Sequence, residues 1–158
     1  LRYACAKVKV ALDAEKEERL MNQYRALSAF PENKAVLQSL KAHGIPTGIL
    51  SNGDMGMLGV AIRSAGLDEL LDHVLSADSV GCYKTHPAVY ALGPKALNLP
   101  VSDILFVSSN GWDALAATWY GFQTLWLNRQ GLPFETLGAQ PHHIANNLND
   151  VKTLFSAP

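Results

Sequence analysis

The chain is poor in the features that would mark a disulfide scaffold, a nucleic-acid binder or a membrane protein. It has two cysteines in 158 residues, Cys5 and Cys82, and two distant thiols make no disulfide framework. They read as free thiols of a reducing compartment, so the expected location is cytoplasmic. A catalytic Cys82 served by His73 or His86 is the alternative, and no other feature supports it. The formal net charge of −1 leaves no excess of cations to draw the chain to nucleic acid or to an anionic membrane. No apolar run approaches the ~20 residues that span a bilayer. The opening Leu1-Arg-Tyr-Ala-Cys-Ala-Lys-Val-Lys-Val10 lacks an initiating Met and the continuous apolar stretch of a signal peptide. The expectation is a piece of something longer, or a processed chain. Internal repeats and low-complexity tracts are also missing.

What remains is ordinary globular material, 48% hydrophobic and 17% charged, enough for one domain with its own core. Asp13 opens a helix whose first turn holds Glu15, Glu17 and Glu18, where carboxylates suit the dipole. Leu20, Met21, Tyr24 and Leu27 recur at helical spacing, and Pro31 closes the region. A second helix is expected from about Asn33 to His43, capped by Gly44. From there strand and helix alternate. Strands are expected to end at Leu50 and to cover 73–76, 104–107 and 124–127. Helices are expected at about 55–65, 87–97 with a kink at Gly93-Pro94, 112–120 and 149–155. Such alternation means βαβ units and a parallel sheet with helices on both faces. The first ~30 residues stand outside it, as helical material of a smaller element.

Ligands of such sheets bind at the carboxyl ends of the strands. Two strand ends here share one grammar. Thr47-Gly-Ile-Leu-Ser-Asn-Gly53 stops at Ser51-Asn52, and Ile104-Leu-Phe-Val-Ser-Ser-Asn-Gly-Trp-Asp113 stops at Ser108-Ser109-Asn110. Gly53 and Gly111 let the chain turn with N–H groups outward. Hydroxyls, amides and free N–H groups together suit an anion. Lys84 adds positive charge, and Asp113 is its negative counterpart or a water-orienting group. Singly, Ser-Asn-Gly is a common turn, Lys84 a solvated lysine and Asp113 a helix-start decoration. Their order along the alternation is what points to a site. His142-His143 read as surface or loop histidines, and His43 and His73 have no partner at metal-ligand spacing. Trp119, Tyr120 and Trp126 read as core.

These residues resemble the haloacid dehalogenase (HAD) superfamily, and within it the L-2-haloacid dehalogenases. Ile49-Leu-Ser-Asn-Gly53 is similar to the second motif. Tyr83-Lys84, with Pro87 and Tyr90, is similar to the third, and Phe106 to Ala114 to the fourth. Superfamily phosphatases carry a Gly-Asp or Asp-Asp pair in the fourth motif, which binds magnesium. Ser108-Ser109 stand there instead, so a hard-cation ligand is lost. The resemblance implies an α/β, HAD-like Rossmannoid parallel sheet flanked by helices. Residues 1–30 would be the remnant of a helical cap, and 31–158 a core lacking its first, central strand.

The implied reaction is hydrolysis of short (S)-2-haloalkanoic acids to (R)-2-hydroxyalkanoic acids through an aspartyl ester, with neither cofactor nor metal. Ser51 and Asn52 would bind the substrate carboxylate, and Trp112 would line the pocket for alkyl group and halide. Lys84 would balance the nucleophile's charge and Tyr90 orient the site. Ser108 and Asn110 would position catalytic groups and water, while Asp113 would hold Lys84 and help activate water. Substrate and halide are the implied partners, with a homodimer as the assembly. The resembling enzymes carry their nucleophile in an Asp-x-x-x-Thr segment on the first strand, and no such segment occurs here. The acids before Ser51 (Asp13, Glu15, Glu17, Glu18 and Glu32) sit in helix or turn contexts. The nucleophile is therefore expected upstream of Leu1, and two strand edges are expected to be left open. A phosphatase of the same superfamily, and an inactive module that only folds or binds, are the competing readings.

Overall fold

The computed structural model describes residues 1–155; the last three positions of the 31–158 unit lie outside it. The element order is α1 (Arg2–Lys7), α2 (Ala14–Gln23), α3 (Asn33–Ala42), β1 (Gly48–Ser51), α4 (Met55–Ser64), β2 (His73–Ser76), α5 (Pro87–Tyr90), α6 (Leu92–Leu97), β3 (Leu105–Ser108), α7 (Gly111–Tyr120), β4 (Gln123–Leu127), β5 (His143–Ala145) and α8 (Val151–Phe155). Every strand pairing is parallel, as alternating strands and helices require.

The strands form two sheets, β1-β2 and β3-β4-β5. In β4 successive side chains go to opposite faces. Leu125 and Leu127 pack with Val36 and Leu40 of α3 and Val151 of α8. Thr124, just before Leu125 and on the opposite face, meets Thr118 of α7, hydroxyl to hydroxyl at 2.8 Å. A second core cluster joins Tyr90, Phe106, Ala116, Ala117 and Phe122. Its aromatic rings meet edge-on or tilted, as Tyr90 and Phe106 do at 5.7 Å between centroids, the geometry the ring quadrupoles favour.

The local signals act as their chemistry dictates. Asp13 caps α2 through Lys16 N–H, and Asp54 caps α4 through Met57 N–H. Gly44 and Gly66 follow α3 and α4 with φ of 69° and 64°, the left-handed region that glycine enters without a Cβ clash. Three departures from the sequence pattern have physical causes. First, α2 stops at Gln23, because Arg25 and Ala26 bond back to Asn22 and Gln23 in tight turns; Tyr24 and Leu27 are outside the helix. Second, the helix expected over 87–97 divides at Ala91. Pro94 has no N–H to give the Tyr90 carbonyl, so the break falls just ahead of the proline. Third, His143 is on the surface as expected but in a strand and not a loop: it opens β5, too short to carry a period. His142, just before it, accepts the Thr124 N–H at Nδ1 (3.1 Å).

Neither α1 nor α2 contains a buried residue. Tyr3 and Leu20 in these helices, and Val8, Val10 and Tyr24 beside them, are exposed. What ties this segment to the rest is its end: Arg129 lies over the Phe30 ring at 3.9 Å and pairs with Glu32 at 2.6 Å.

Candidate active site

The site forms where β1 and β3 end. Ser108, the last residue of β3, donates its hydroxyl to Asp113 Oδ2 at 2.9 Å and accepts the Asn110 N–H at 3.2 Å. Asp113 lies in the first turn of α7, where the helix dipole favours its charge. Lys84 Nζ reaches Asp113 Oδ2 at 2.9 Å, with 9% and 4% of the two side chains exposed. Tyr90 donates its hydroxyl to Asp113 Oδ1 at 2.8 Å. One buried carboxylate thus receives an ammonium and two hydroxyls, which offsets the cost of desolvating it. Burial, then the bond and charge of Asp113, push the Tyr90 phenol well above its ordinary range, so it stays a donor.

The other strand end supplies the support. Asn52 Oδ1 accepts the Lys84 backbone N–H at 2.9 Å. Ser51 Oγ accepts the Gly53 N–H at 3.0 Å. The expected residues Ser51, Asn52, Lys84, Tyr90, Ser108, Asn110 and Asp113 therefore gather at these two strand ends, with Lys84 joining one to the other. Trp112 stands apart from them, 42% exposed, next to Asp113 in sequence but on the solvent side.

Two participants escape a reading of the sequence. Ser76 ends β2, donates to Gly53 O at 2.7 Å and accepts the Asp78 N–H at 3.1 Å. His73-Val-Leu-Ser76 has the same apolar-run-then-serine form as the other strand ends, and that form is the signal for it. Phe106 lies under Lys84 Nζ, 5.0 Å from ring centroid to nitrogen. Nothing in the order of residues marks a core phenylalanine as a cation's neighbour.

Among the described residues no cluster of three His, Cys, Asp or Glu side chains could hold a metal ion, and no helix is long and apolar enough to cross a membrane.

With this geometry in place, residues 3–121 match the haloacid dehalogenase-like hydrolase family. The chain belongs to that family. Within it, the chain is 41% identical over 155 residues to the (S)-2-haloacid dehalogenase of Pseudomonas sp. (strain YL), covering 98% of this chain and 67% of that one. The crystal structure of an L-2-haloacid dehalogenase is 51% identical, with a TM-score of 0.94 over 99% of this chain and 69% of that chain. That of L-2-haloacid dehalogenase from Xanthobacter autotrophicus, with chloropropionic acid covalently bound, is 27% identical. It gives a TM-score of 0.84 over 97% of this chain and 71% of that chain. The chain spans about two thirds of the length of the relatives it matches.

Proposed function

We propose that this chain carries the charge-balancing and water-positioning part of a site that hydrolyses short (S)-2-haloalkanoic acids to (R)-2-hydroxyalkanoic acids. The observation that carries the proposal is the convergence of Lys84, Tyr90 and Ser108 on Asp113. Asp113 is held from both oxygens and so is a poor nucleophile. Its work is to fix the Lys84 ammonium and to polarise a water beside Asn110. The attacking carboxylate lies upstream of Leu1; it displaces halide from C2, and water then opens the ester. Ser51 and Asn52 receive the substrate carboxylate, and exposed Trp112 walls the alkyl and halide side. Residues 1–30 form the tail of a cap over this pocket, and a homodimeric assembly belongs to the same reading. The chloropropionate adduct of the Xanthobacter relative supports a covalent intermediate. The donor set supports chemistry without a bound cation: Ser108 and Ser109 stand at the strand end, and the Asp113 carboxylate is engaged by Lys84.

The test is a chimera in which the N-terminal third of the Pseudomonas sp. (strain YL) relative precedes residues 1–158. Chloride release from (S)-2-chloropropionate and not from the (R) enantiomer is the expected result, with none from the 158-residue chain alone. Magnesium-dependent release of phosphate from a phosphomonoester, without chloride release, would make the site a phosphatase and overturn the proposal.

A further inference from the structure

One carboxylate beside the site takes no part in the proposed reaction, and the fold delivers it from a separate loop. After β4 the chain turns on Asn128, whose amide nitrogen donates to Leu132 O at 2.8 Å and whose amide oxygen accepts the Leu132 N–H at 2.9 Å. Phe134 then packs on Trp126 of β4, with 4.9 Å between ring centroids. Trp126 in turn donates its indole N–H to the Ser109 carbonyl at 3.3 Å. The loop is thus anchored on the same ring that holds the end of β3. Glu135 comes next, and its carboxylate rests on Gly111, the first residue of α7. Both carboxylate oxygens and the carbon between them lie within 3.3 Å of where a Gly111 Cβ would stand. Oε2 is buried and has no hydrogen-bond partner, an arrangement that costs free energy and calls for a cause.

The cause lies in how α7 begins. Helices α2 and α4 are capped by their own Asp13 and Asp54 side chains. Asn110 holds the same place before α7, and its side chain makes no capping bond. Only its carbonyl serves the helix, accepting the Asp113 N–H at 3.2 Å and the Ala114 N–H at 3.0 Å. An N-cap side chain folded back on the first turn is lost to a substrate or a water. The Asn110 amide is not folded back, and the residue is exposed. The positive end of the α7 dipole is therefore left for a charge from elsewhere. Asp113 lies in that first turn, but Lys84, Tyr90 and Ser108 already engage it. The missing side chain of Gly111 is what lets a second carboxylate approach the backbone.

We propose that Glu135 is a positioning residue for the hydrolytic step. Its carboxylate supplies, from the neighbouring loop, the charge that the N-cap of α7 does not. It so holds Asn110 with its amide turned toward the water that opens the ester. The role requires no contact with a reacting atom and no proton transfer. Its effect on turnover rests on the hydrolytic reading above; its hold on the first turn of α7 rests only on the contact with Gly111 and the uncapped Asn110.

The test uses Glu135→Gln, which keeps the shape and removes the charge, and Glu135→Asp, which keeps the charge. Amide hydrogen exchange is read in the 158-residue chain and in the chimera described above, and turnover of (S)-2-chloropropionate in the chimera. With Glu135→Gln, exchange of the Asp113 and Ala114 amides should speed up about fivefold while that of Leu125 and Leu127 stays unchanged. In single turnovers, chloride release should stay within about twofold of the wild type, and release of the 2-hydroxy acid should slow about fivefold. The ester then accumulates and appears in the intact mass. Glu135→Asp, with its shorter reach, should slow the second release by about twofold only, and it carries the same comparison if the Gln form does not fold. Equal slowing of both releases together with a lower thermal midpoint is what a packing role alone produces, and it would overturn the proposal. So would unchanged exchange at Asp113 and Ala114, or a Glu135→Gln form as fast as the wild type. Faster exchange in the Gln form of a chimera that releases no chloride even with Glu135 intact would sink the hydrolytic reading and leave the hold on α7 standing.

Discussion

Asn52 holds Lys84 by its backbone: the side-chain oxygen at the end of β1 accepts an N–H from a residue 32 positions later, at 2.9 Å. Lys84 then reaches Asp113 with its ammonium, so one short bond fixes the cation that links the two sheets. Asn52→Ala removes the acceptor and leaves the Lys84 N–H to water. We expect a stability loss of about 1 kcal/mol, seen as a lower thermal midpoint. Amides around Lys84 should exchange faster, while those in β4 stay unchanged. Unchanged exchange at Lys84 would mean that other contacts hold the loop.

Lys84 and Asp113 are buried together, and removing one charge leaves the other without its counterpart. Each of Lys84→Met and Asp113→Asn should cost about 3–5 kcal/mol, measured by denaturant unfolding. The double variant should cost less than the sum by more than about 1 kcal/mol. Additive losses would show that the 2.9 Å pair is not coupled in solution.

Tyr90 gives the site a pH signature. Its phenol is raised above the ordinary value of 10.0 by burial first and by Asp113 second. The folded state therefore holds this proton more tightly than the unfolded chain. The contribution of the neutral phenol to stability is complete below pH ~10 and is lost as pH rises beyond it. Compared with Tyr90→Phe, the wild-type chain should show one tyrosinate absorbance step that coincides with alkaline unfolding by circular dichroism. A Tyr90 step near pH ~10 in still-folded protein would refute this.

Much of this was legible in the sequence because the signals are local. Ser108, Asn110 and Asp113 lie within one strand-to-helix turn, and the capping roles of Asp13 and Gly44 need only their neighbours. Lys84 was legible through motif order, not through any local preference. The rest depends on contacts that cross the chain. The Glu32–Arg129 pair joins residues far apart in sequence, at 2.6 Å, and neither residue type marks the other. β5 has three residues, too few for an alternating pattern. Its pairing with β4 is continued by Asn128 N–H, which reaches Ala145 O at 2.7 Å. The unpaired edges of β1 and β3 were an expectation of the family resemblance, and no residue in either strand marks them. The apolar groove between them, with Lys84 in its wall, needed the structure.

The start of α7 offers a test of how tightly the site is packed. A Cβ on Gly111 would collide with the Glu135 carboxylate, whose Oε2 is buried without a hydrogen-bond partner. Alanine is otherwise the better helix former, by up to about 1 kcal/mol. The sign of Gly111→Ala therefore depends on Glu135. With Glu135 present its carboxylate must swing aside, a small move for the far end of a flexible side chain, and we expect this to cancel alanine's helix preference and leave a loss of under about 1 kcal/mol. A weaker Asp113–Tyr90 contact should accompany it, read as a lower alkaline unfolding midpoint. In a Glu135→Ala background the same Gly111→Ala change should be neutral or stabilising. Equal losses in both backgrounds would place the constraint in the backbone at Gly111 and not in the carboxylate that rests on it.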